Sequence, residues 1–472
     1  MNLPDSAFIH PAGENRGAVE QLLNQAVGLL LDELGGATER SPLPPLTQLP
    51  SPNIPAIAVP ETELLQQVRA IIQQSMNAAH PGYMGHMDSI PSTISMVGDL
   101  VAAALNNNML SVEMSPVFSR LEPLLLRQIA QRFGLGAQAD GVLVGGGSLG
   151  NLQAIAVARN TYFPVLEKGL VGLDKPPVLF ASEVAHTSLQ KAAMVLGLGS
   201  RGVVGIPTDD NSRLDPGRLR RAIALAHTTG QAPFCVVATA GTTVTGSVDP
   251  LGAIADIAEE FGLWFHVDAS YGGALAFSPQ HRHLLDGIDR ADSVTFNPQK
   301  WLYVTKTCAM VLFRDADAWR QNFRIAAPYM GEHGPWYNLG ESSIQGTRHA
   351  DILKLWLLLQ HLGEAGIAAI IAHNFAITEQ FVAAMRDRPH LRLATQPELN
   401  LVCFRSEPEA IAPEQWDDWN QQLQRHLLEK GHTFLSLPFY QGQRWLKAVL
   451  LNPFTTPRHI QQLFEQLDDF GS

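Results

Sequence analysis

A lysine and an aspartate near the middle of the chain have the residue types and the spacing for covalent catalysis. Lys300 lies in the stretch Asn297–Trp301, just after the strand-like run 291–296, and Asp268 ends the earlier strand-like run 263–268. A lysine whose amine is freed by burial or by nearby charge can form a Schiff base with a carbonyl compound. A lone lysine after a strand is ordinarily a solvated surface residue, so this chemistry depends on the residues that accompany it.

A glycine-rich stretch, Val144–Asn151, predicts an anion site at a strand-to-helix junction. It follows the short apolar run 141–144 and precedes a helical segment over 152–160. Glycine lets the backbone approach a ligand closely, and the unpaired N–H groups at a helix N-terminus suit a phosphate. Gly147 and Ser148 are the predicted phosphate contacts.

The same stretch also fits a second chemistry. Gly146–Gly150 matches the Gly-x-Ser-x-Gly turn that exposes the nucleophile of serine hydrolases, which here would be Ser148. No His-Gly-Gly-Gly segment, which would supply an oxyanion hole, precedes it. A hydrolase would also leave Lys300 and Asp268 without a role, so the hydrolase is the less favoured alternative.

Three stretches, taken in order, resemble the pyridoxal phosphate-dependent group II amino acid decarboxylases. That family includes glutamate, cysteine sulfinate, aromatic amino acid and diaminobutyrate decarboxylases. The stretches are Val144–Asn151, His266–Gly273 and Asn297–Trp301, and the resemblance extends from about His80 to the last predicted strand. It implies a fold-type I pyridoxal enzyme that forms a homodimer with active sites at the subunit interface. It also implies conversion of an L-amino acid to the corresponding amine and carbon dioxide.

The resemblance assigns a role to each reactive residue. Lys300 carries pyridoxal 5'-phosphate, Asp268 keeps the pyridine nitrogen protonated so that the ring can accept electrons, and His186 stacks on the ring. Tyr337, in the long loop 327–348, protonates the α-carbon after carbon dioxide leaves. The predicted cofactor-binding set is Gly147, Ser148, His186, Thr239, Asp268, Ser270, Asn297, Gln299 and Lys300.

The family pattern also puts three residues beside the substrate. His86 and Ser89 lie in the loop that begins at His80, and Lys447 falls where glutamate-specific members carry an arginine. An exposed strand lysine is an equally good interpretation of Lys447. These side chains favour a polar or acidic substrate, whereas the segment 450–456 is closer to diaminobutyrate decarboxylases. The substrate therefore stays open between 2,4-diaminobutyrate and an acidic amino acid.

Two positions depart from the family pattern. Ser270 stands where the family usually has alanine, and Gln299 stands where it usually has histidine. A glutamine amide can still donate a hydrogen bond to a phosphate. It cannot carry a proton as an imidazole does, so proton shuttling beside Lys300 is not expected from this position.

The segments that must position these residues alternate between strands and helices from about 140 to 310. This alternation predicts an α/β fold with a mostly parallel sheet and helices on both faces. The ligand is expected at the carboxyl ends of the strands. The predicted units are an N-terminal helix and proline-rich arm over 1–75, a large cofactor domain over 76–350 and a small C-terminal α+β domain over 351–472. The resemblance implies that the first unit is exchanged across the dimer.

Composition narrows the classes of partner. The chain has 472 residues and a formal net charge of -12, which disfavours nucleic acid and anionic membranes as partners. The chain does not start with a basic apolar leader, and no apolar run approaches the length of a membrane span. The 3 cysteines form no Cys-x-x-Cys pair and lie in apolar runs, which predicts buried reduced thiols, a cytoplasmic location and no metal site.

Other reactions on the same cofactor also fit these residues. They are oxidative deamination of an amino acid to an aldehyde and carbon–carbon lyase chemistry. Identification of the product as an amine or an aldehyde separates the decarboxylase from its oxidative relatives. A yellow protein that borohydride bleaches separates all of these enzymes from the serine hydrolase.

Overall fold

The computed structural model describes residues 4–47, 49–331 and 334–470. Its strands are β1 Asp140–Val144, β2 Pro177–Ser182, β3 Val203–Ile206, β4 Ala232–Thr239, β5 Trp264–Ala269, β6 Ser293–Phe296, β7 Ala309–Phe313, β8 Leu391–Leu393, β9 Leu401–Ser406, β10 Phe439–Tyr440, β11 Gln443–Arg444 and β12 Leu446–Val449. Its helices are α1 Arg16–Gly35, α2 Glu61–Gln74, α3 Thr93–Leu105, α4 Phe118–Phe133, α5 Gly147–Tyr162, α6 Val165–Lys168, α7 Ser188–Val195, α8 Pro216–Thr228, α9 Leu251–Phe261, α10 Ala316–Phe323, α11 Ile352–Met385, α12 Trp416–Glu429 and α13 Pro457–Phe470.

A 7-stranded sheet of order β1-β7-β6-β5-β4-β2-β3 forms the centre of the fold. β7 is antiparallel to both of its neighbours, while β6, β5, β4, β2 and β3 are parallel. The parallel strands are apolar along nearly their whole length because helices cover both faces. On β1, Leu143 packs in one core layer with α4, α8 and α9, whereas Val142 and Val144 pack in the opposite layer with α5 and α7. The predicted α/β architecture is confirmed.

A smaller antiparallel sheet of order β12-β9-β8 follows in the chain. Helices α11, α12 and α13 cover it and share an apolar core with it. Phe381 of α11 contacts Phe404 of β9 and Phe464 of α13 edge-on, at ring-centroid distances of 5.4 and 5.0 Å. Such edge-to-face pairs stabilise beyond the area they bury. This α+β unit lies within residues 351–472, and the bounds of the small C-terminal domain stay a prediction.

Helix α11 joins the two units and has an unexpected composition. By length and composition alone this 34-residue helix could cross a membrane, although the sequence predicted no apolar run of that length. Gly363, at φ 59° and ψ -179°, interrupts its helical geometry. The helix contacts α3, α4 and α13, and Ile367, Ile371 and Phe381 are buried in the protein core. Part of this helix therefore packs within the fold, although only 22% of its most apolar window is buried.

The N-terminal helices α1 and α2 pack against each other and leave apolar side chains in solvent. Leu31 of α1 is 68% exposed, and Val27 and Val68 are also exposed. The predicted first helix is confirmed within a residue or two. Helix α2 ends at Gln74, and Asn77 Nδ2 beyond it donates to the main-chain oxygen of Ala37, 2.8 Å away.

The prediction that the three cysteines are buried thiols is also confirmed. Cys235, Cys308 and Cys403 are free and buried. Burial raises the pKa of each of these thiols above its ordinary value, to about 12 for Cys403. They are therefore protonated and unreactive at neutral pH.

Candidate active site

A cavity of about 290 Å³ opens at the carboxyl ends of the central strands. This is the edge at which open α/β sheets bind ligands. Every residue of the predicted cofactor set lines it, together with several polar neighbours. The lining residues are Gly145, Gly146, Gly147, Ser148, Leu149, Asn151, His186, Ser188, Thr239, Gly241, Thr243, Asp268, Ser270, Asn297, Gln299 and Lys300.

The glycine-rich stretch forms the first turn of α5 itself. The helix begins at Gly147, earlier than the predicted segment over 152–160. Gly146 has φ 143°, a conformation that favours glycine. A Cβ on Gly147 would lie 2.6 Å from Ser270 Oγ and 2.8 Å from Asn297 Nδ2. This close approach makes a cradle above the unpaired N–H groups of the first turn, which is the geometry that binds phosphate.

Asp268 lies near the end of β5, beside Thr239 of the parallel strand β4. Its side chain is buried, and its two oxygens accept hydrogen bonds from different donors. Asn151 Nδ2 lies 2.8 Å from Asp268 Oδ2, and the Ser270 main-chain N–H lies 3.1 Å from Oδ1. Burial raises the pKa of Asp268, but these hydrogen bonds and the charge of Lys300 outweigh it and hold the pKa below its ordinary value. The carboxylate is therefore ionised in a nearly dry site.

Lys300 enters the cavity from the turn that follows β6. The turn is closed by the Lys300 main-chain N–H, which donates to Asn297 O at 3.0 Å. Ser89 Oγ donates to the main-chain oxygen of Lys300, also at 3.0 Å. Burial lowers the pKa of the Lys300 amine, although Asp268 and Asp88 partly oppose this. A lowered pKa increases the fraction of free amine, which is the form that attacks a carbonyl carbon.

His186 lines the cavity from the turn before α7. Its Nδ1 accepts a hydrogen bond from the Ser188 main-chain N–H at 3.1 Å, so the proton of the neutral ring lies on Nε2. Burial lowers the pKa of His186, Asp268 raises it, and Lys300 and Lys191 lower it further. The net lowering favours the neutral imidazole at pH 7.

Two buried polar atoms of the cavity wall have no protein partner within the described part of the chain. They are Thr239 Oγ1 and Asn297 Oδ1. Beside them, Gln299 Oε1 accepts from the Cys308 main-chain N–H at 2.6 Å, which leaves the amide NH₂ of Gln299 to donate elsewhere. Unpaired buried polar atoms are costly unless a ligand satisfies them. An anion cradle, an ionised aspartate, a buried lysine and these free polar atoms together fit pyridoxal 5'-phosphate.

Two of the three predicted substrate residues, Ser89 and Lys447, contact residues that line this cavity. Lys447 of β12 is only 5% exposed, so its interpretation as a surface lysine is wrong. Its Nζ donates to the main-chain oxygen of Thr243, a cavity residue, at 3.2 Å. Burial lowers the pKa of Lys447, Cys403 opposes this, and the charge of Lys300 lowers it further. The pKa of the nearby His86 is lowered by burial and then by Lys447.

Tyr337 is not in the cavity. Its hydroxyl donates to Asp140 Oδ2 at 3.0 Å, and the guanidinium of Arg320 lies 4.3 Å from the centre of its ring. Asp140 and Val144 are at opposite ends of β1, roughly 14 Å apart along the strand. Within one chain the structure does not bring Tyr337 to Lys300, so its role as proton donor stays a prediction.

Two polar residues that support the site had no predicted role. Asn151 holds Asp268, and Asp249 holds the main chain at Thr239 through a 2.7 Å hydrogen bond from its N–H to Oδ2. Asn151 ends the stretch Val144–Asn151, one of the three that carried the family resemblance, whereas Asp249 lies outside those three. Their signal in the sequence was a polar side chain in an otherwise small or apolar segment, which does not identify the partner.

One group of three side chains in the described residues could ligate a metal ion: Asp99, His349 and Asp351. The ammonium of Lys354 lies 2.8 Å from Asp351 Oδ1 and 3.5 Å from Asp99 Oδ1. A protein cation therefore already offsets part of the negative charge of this group.

The pyridoxal-dependent decarboxylase conserved domain matches residues 45–407 of the chain. The chain belongs to the pyridoxal-dependent decarboxylase family. It is therefore a pyridoxal phosphate-dependent amino acid decarboxylase, and the predicted cofactor and reaction class are confirmed. The serine hydrolase alternative was wrong. Among the described residues Ser148 makes no hydrogen bond to a histidine that could activate it.

Similar decarboxylases cover nearly the whole chain. Cysteine sulfinic acid decarboxylase of Rattus norvegicus is 33% identical over 477 residues, which cover 96% of each protein. Acidic amino acid decarboxylase GADL1 of Bos taurus is 33% identical over 427 residues, which cover 87% of this chain and 82% of the relative. The crystal structure of mouse CSAD superposes with a TM-score of 0.90 at 31% identity, covering 96% of this decarboxylase and 99% of that chain. The fold-type I prediction is thus confirmed.

Proposed function

We propose that this decarboxylase acts on an L-amino acid with an acidic side chain, and that Lys447 binds the side-chain acid. The observation that carries this is the burial of Lys447, whose ammonium has one hydrogen-bond acceptor among the described residues, the main-chain oxygen of Thr243. An ammonium has three donors. A buried cation with unused donors gains most from an anionic ligand.

Charge also distinguishes the two substrates that the sequence left open. The charge of Lys300 lowers the pKa of Lys447, and the charge of Lys447 in turn lowers the pKa of His86. A 2,4-diaminobutyrate side chain would bring a further cation to this group and be repelled. An acidic side chain would neutralise Lys447 instead. Similarity to decarboxylases named for cysteine sulfinic acid and for acidic amino acids supports the same choice.

The cofactor would be held by its phosphate, its ring nitrogen and its carbonyl carbon. The first turn of α5 at Gly147 and Ser148 receives the phosphate, aided by the amide of Gln299. Asn297 and Ser270 lie against that cradle. When bound, the cofactor supplies the electron sink for the charge left by departing carbon dioxide.

His186 and Thr239, which line the cavity, would hold the ring. Asp268 holds a proton on the ring nitrogen, and Lys300 provides the neutral amine that attaches the cofactor. The hydroxyl of Ser89 donates a hydrogen bond to the main-chain oxygen of Lys300, and this bond supports the orientation of the lysine.

Tyr337 would deliver the proton to the α-carbon after its hydroxyl leaves Asp140. Burial and the charge of Asp140 raise the pKa of Tyr337 above its ordinary value, with Arg320 opposing. The phenol therefore stays protonated until it reaches a strong base, and a carbanion is such a base.

The enzyme would be a homodimer of the cytoplasm in which the 1–75 segment of each subunit crosses to the other. The exposed apolar residues Leu31, Val27 and Val68 on α1 and α2 support this exchange, because a second subunit would remove them from water. The segments 76–350 and 351–472 would then be the cofactor domain and the small domain of each subunit.

The test is a panel of amino acids scored for carbon dioxide and amine, with the wild type and Lys447→Met. Cysteine sulfinate, aspartate and glutamate represent acidic substrates, and 2,4-diaminobutyrate, leucine and tryptophan represent cationic and neutral ones. The wild type should prefer an acidic substrate. Lys447→Met should lose at least about tenfold in kcat/KM on that substrate, since a hydrogen bond to a charged group contributes about 1.5–3 kcal/mol.

The neutral amino acids are the internal control for this variant. Their kcat/KM should change little, because they have no charge for Lys447 to bind. Preference of the wild type for 2,4-diaminobutyrate, or an equal loss on acidic and neutral substrates, would refute the assignment.

A further inference from the structure

A chain of hydrogen bonds runs through the sheet and ends on Asp268. Trp264 Nε1 donates to Ser293 Oγ at 2.8 Å, and Ser293 Oγ lies 2.9 Å from His266 Nδ1. His266 Nε2 lies 3.1 Å from Asn151 Oδ1, and Asn151 Nδ2 donates to Asp268 Oδ2 at 2.8 Å. All five side chains are buried. Water therefore cannot easily replace a missing member.

The two ends of this chain fix its direction. The indole of Trp264 can only donate, and an ionised Asp268 can only accept. Asn151 must therefore turn its NH₂ to Asp268 and its carbonyl oxygen to His266. The second N–H of Asn151 faces Ser188 Oγ at 2.9 Å, which agrees with this orientation.

The orientation of Asn151 decides the tautomer of His266. Its Nε2 must carry the proton that reaches Asn151 Oδ1, and its Nδ1 must accept from the hydroxyl of Ser293. The opposite tautomer could donate from Nδ1 to the main-chain oxygen of Ser293, 3.1 Å away. It would then set the Nε2 lone pair against the oxygen of Asn151, which is repulsive.

A neutral imidazole is required, since it has one donor and one acceptor. Burial lowers the pKa of His266 to about 4, with Asp268 and the main chain of Ser293 opposing. His266 is therefore neutral throughout the range in which the enzyme is handled. Every bond in the chain then points towards Asp268, and bonds aligned in this way polarise and strengthen one another.

We propose that Asn151 and His266 are positioning residues that keep Asp268 ionised and aimed at the pyridine nitrogen of the cofactor. This inference rests on the proposed role of Asp268. The bond from Asn151 favours the charged carboxylate, and it fixes the rotation of that carboxylate so that its remaining acceptor sites face the cavity. Neither residue touches the reacting atoms of the substrate.

The test compares binding of two cofactors to the cofactor-free protein. Pyridoxal 5'-phosphate has the ring nitrogen, and its 1-deaza analogue has a C–H group in its place. Asn151→Leu removes the donor and the acceptor while keeping the branched shape of the side chain. It should weaken binding of pyridoxal 5'-phosphate by about tenfold, the lower end of what loss of an outer partner costs in metal sites. Binding of the analogue should change less than about twofold.

Two further variants make the comparison specific. Asp268→Ala should also weaken binding of pyridoxal 5'-phosphate relative to binding of the analogue, and by a larger factor than Asn151→Leu does. Thr295→Val is the matched control, because Thr295 Oγ1 lies 3.5 Å from His266 Nε2 but outside the chain. It should bind both cofactors as the wild type does.

The outcomes separate this inference from the function on which it rests. If Asp268→Ala discriminates and Asn151→Leu weakens both cofactors equally, Asn151 is only structural and the inference is overturned. If Asp268→Ala does not discriminate, the proposed role of Asp268 fails and the inference falls with it. Retained binding of the analogue by Asn151→Leu shows that the variant folds.

A second measurement requires no substitution of Asn151 or Asp268. NMR of the ¹⁵N-histidine-labelled wild type, with the His266 signal assigned through His266→Gln, should show the neutral Nε2–H tautomer from pH 5 to 8. Thr295→Val should leave that signal unchanged. A signal from the Nδ1–H tautomer or from an imidazolium would overturn the proposed direction of the chain.

Discussion

The carboxylate of Asp249 accepts the main-chain N–H of Thr239 at 2.7 Å, and through its other oxygen it accepts the N–H of Leu214, also at 2.7 Å. One buried acid thus joins the end of β4, where the cavity begins, to the segment before α8. Burial raises the pKa of Asp249 to about 7, although both hydrogen bonds lower it and the charges of Glu398 and Asp209 raise it. The stability of the fold and the shape of the cavity at Thr239 therefore both depend on the side chain of Asp249.

A pH dependence of stability follows from the raised pKa of Asp249. Between its unfolded pKa near 4 and its folded pKa near 7, the folded state holds a proton that the unfolded state has lost. The contribution of Asp249 to the free energy of unfolding therefore falls as pH rises through this window and is level above it. Urea unfolding of the wild type and Asp249→Asn from pH 4.5 to 8 should show this fall in the wild type alone.

Asp249→Asn should also be less stable than the wild type at every pH. The amide has one oxygen and must turn its NH₂ towards one of the two main-chain N–H groups. Leaving a buried N–H unpaired costs about 1–3 kcal/mol. Equal stability of the two proteins at pH 8, or the same pH profile in both, would contradict the role given to Asp249.

Lys300→Ala should fold but should not attach the cofactor covalently. The substitution removes the side chain beyond Cβ, whereas the turn at Asn297 depends on main-chain bonds that alanine keeps. Borohydride treatment followed by peptide mass spectrometry should find the cofactor on Lys300 in the wild type and on no lysine in the variant. Turnover should be nearly abolished. Cofactor fixed to Lys447 or another lysine of the wild type would disprove the assignment.

Gly147→Ala should lose affinity for the cofactor because its Cβ would lie 2.6 Å from Ser270 Oγ and enter the phosphate cradle. Overpacking of this kind costs about 1–3 kcal/mol, so about tenfold or more in affinity is expected. Gly252→Ala is the matched control. It also lies in the first turn of a helix, α9, but its Cβ would have no neighbour closer than 4.0 Å. Fluorescence titration of both cofactor-free variants measures the difference, and equal affinities would argue against the cradle.

Tyr337→Phe should remove the proton donor, the phenol hydroxyl, while keeping the aromatic ring. Packing under Arg320 would persist, while the hydrogen bond to Asp140 and the phenol proton are lost. Amine formation should slow by about 10²–10⁴-fold, the usual contribution of a positioned acid. Under air, aldehyde, ammonia and peroxide should appear as the unprotonated product reacts with oxygen. If the variant forms amine at the wild-type rate, or if the wild type already forms aldehyde, Tyr337 is not the donor.

The sequence by itself determined the elements that act locally. Neighbouring residues in the sequence predict three features of the site, because backbone freedom and strand pattern are short-range properties. These features are the glycine turn at 146 and 147, the strand before Asp268 and the turn before Lys300. The alternation of strands and helices fixed the sheet and therefore the edge where these residues meet. Family resemblance then added the cofactor and the reaction, which no single spacing could supply.

Only the tertiary structure decided which side chains are buried and which residues, far apart in the sequence, contact each other. Lys447 has the pattern of a surface lysine, yet β9 and the main chain at Thr243 bury it. His266 and Asn151 lie far apart in sequence and meet because β5 runs under α5. Tyr337, assigned by position in a loop, lies instead at the far end of β1. Burial and long-range contact depend on how whole elements pack, and a local pattern carries no record of that packing.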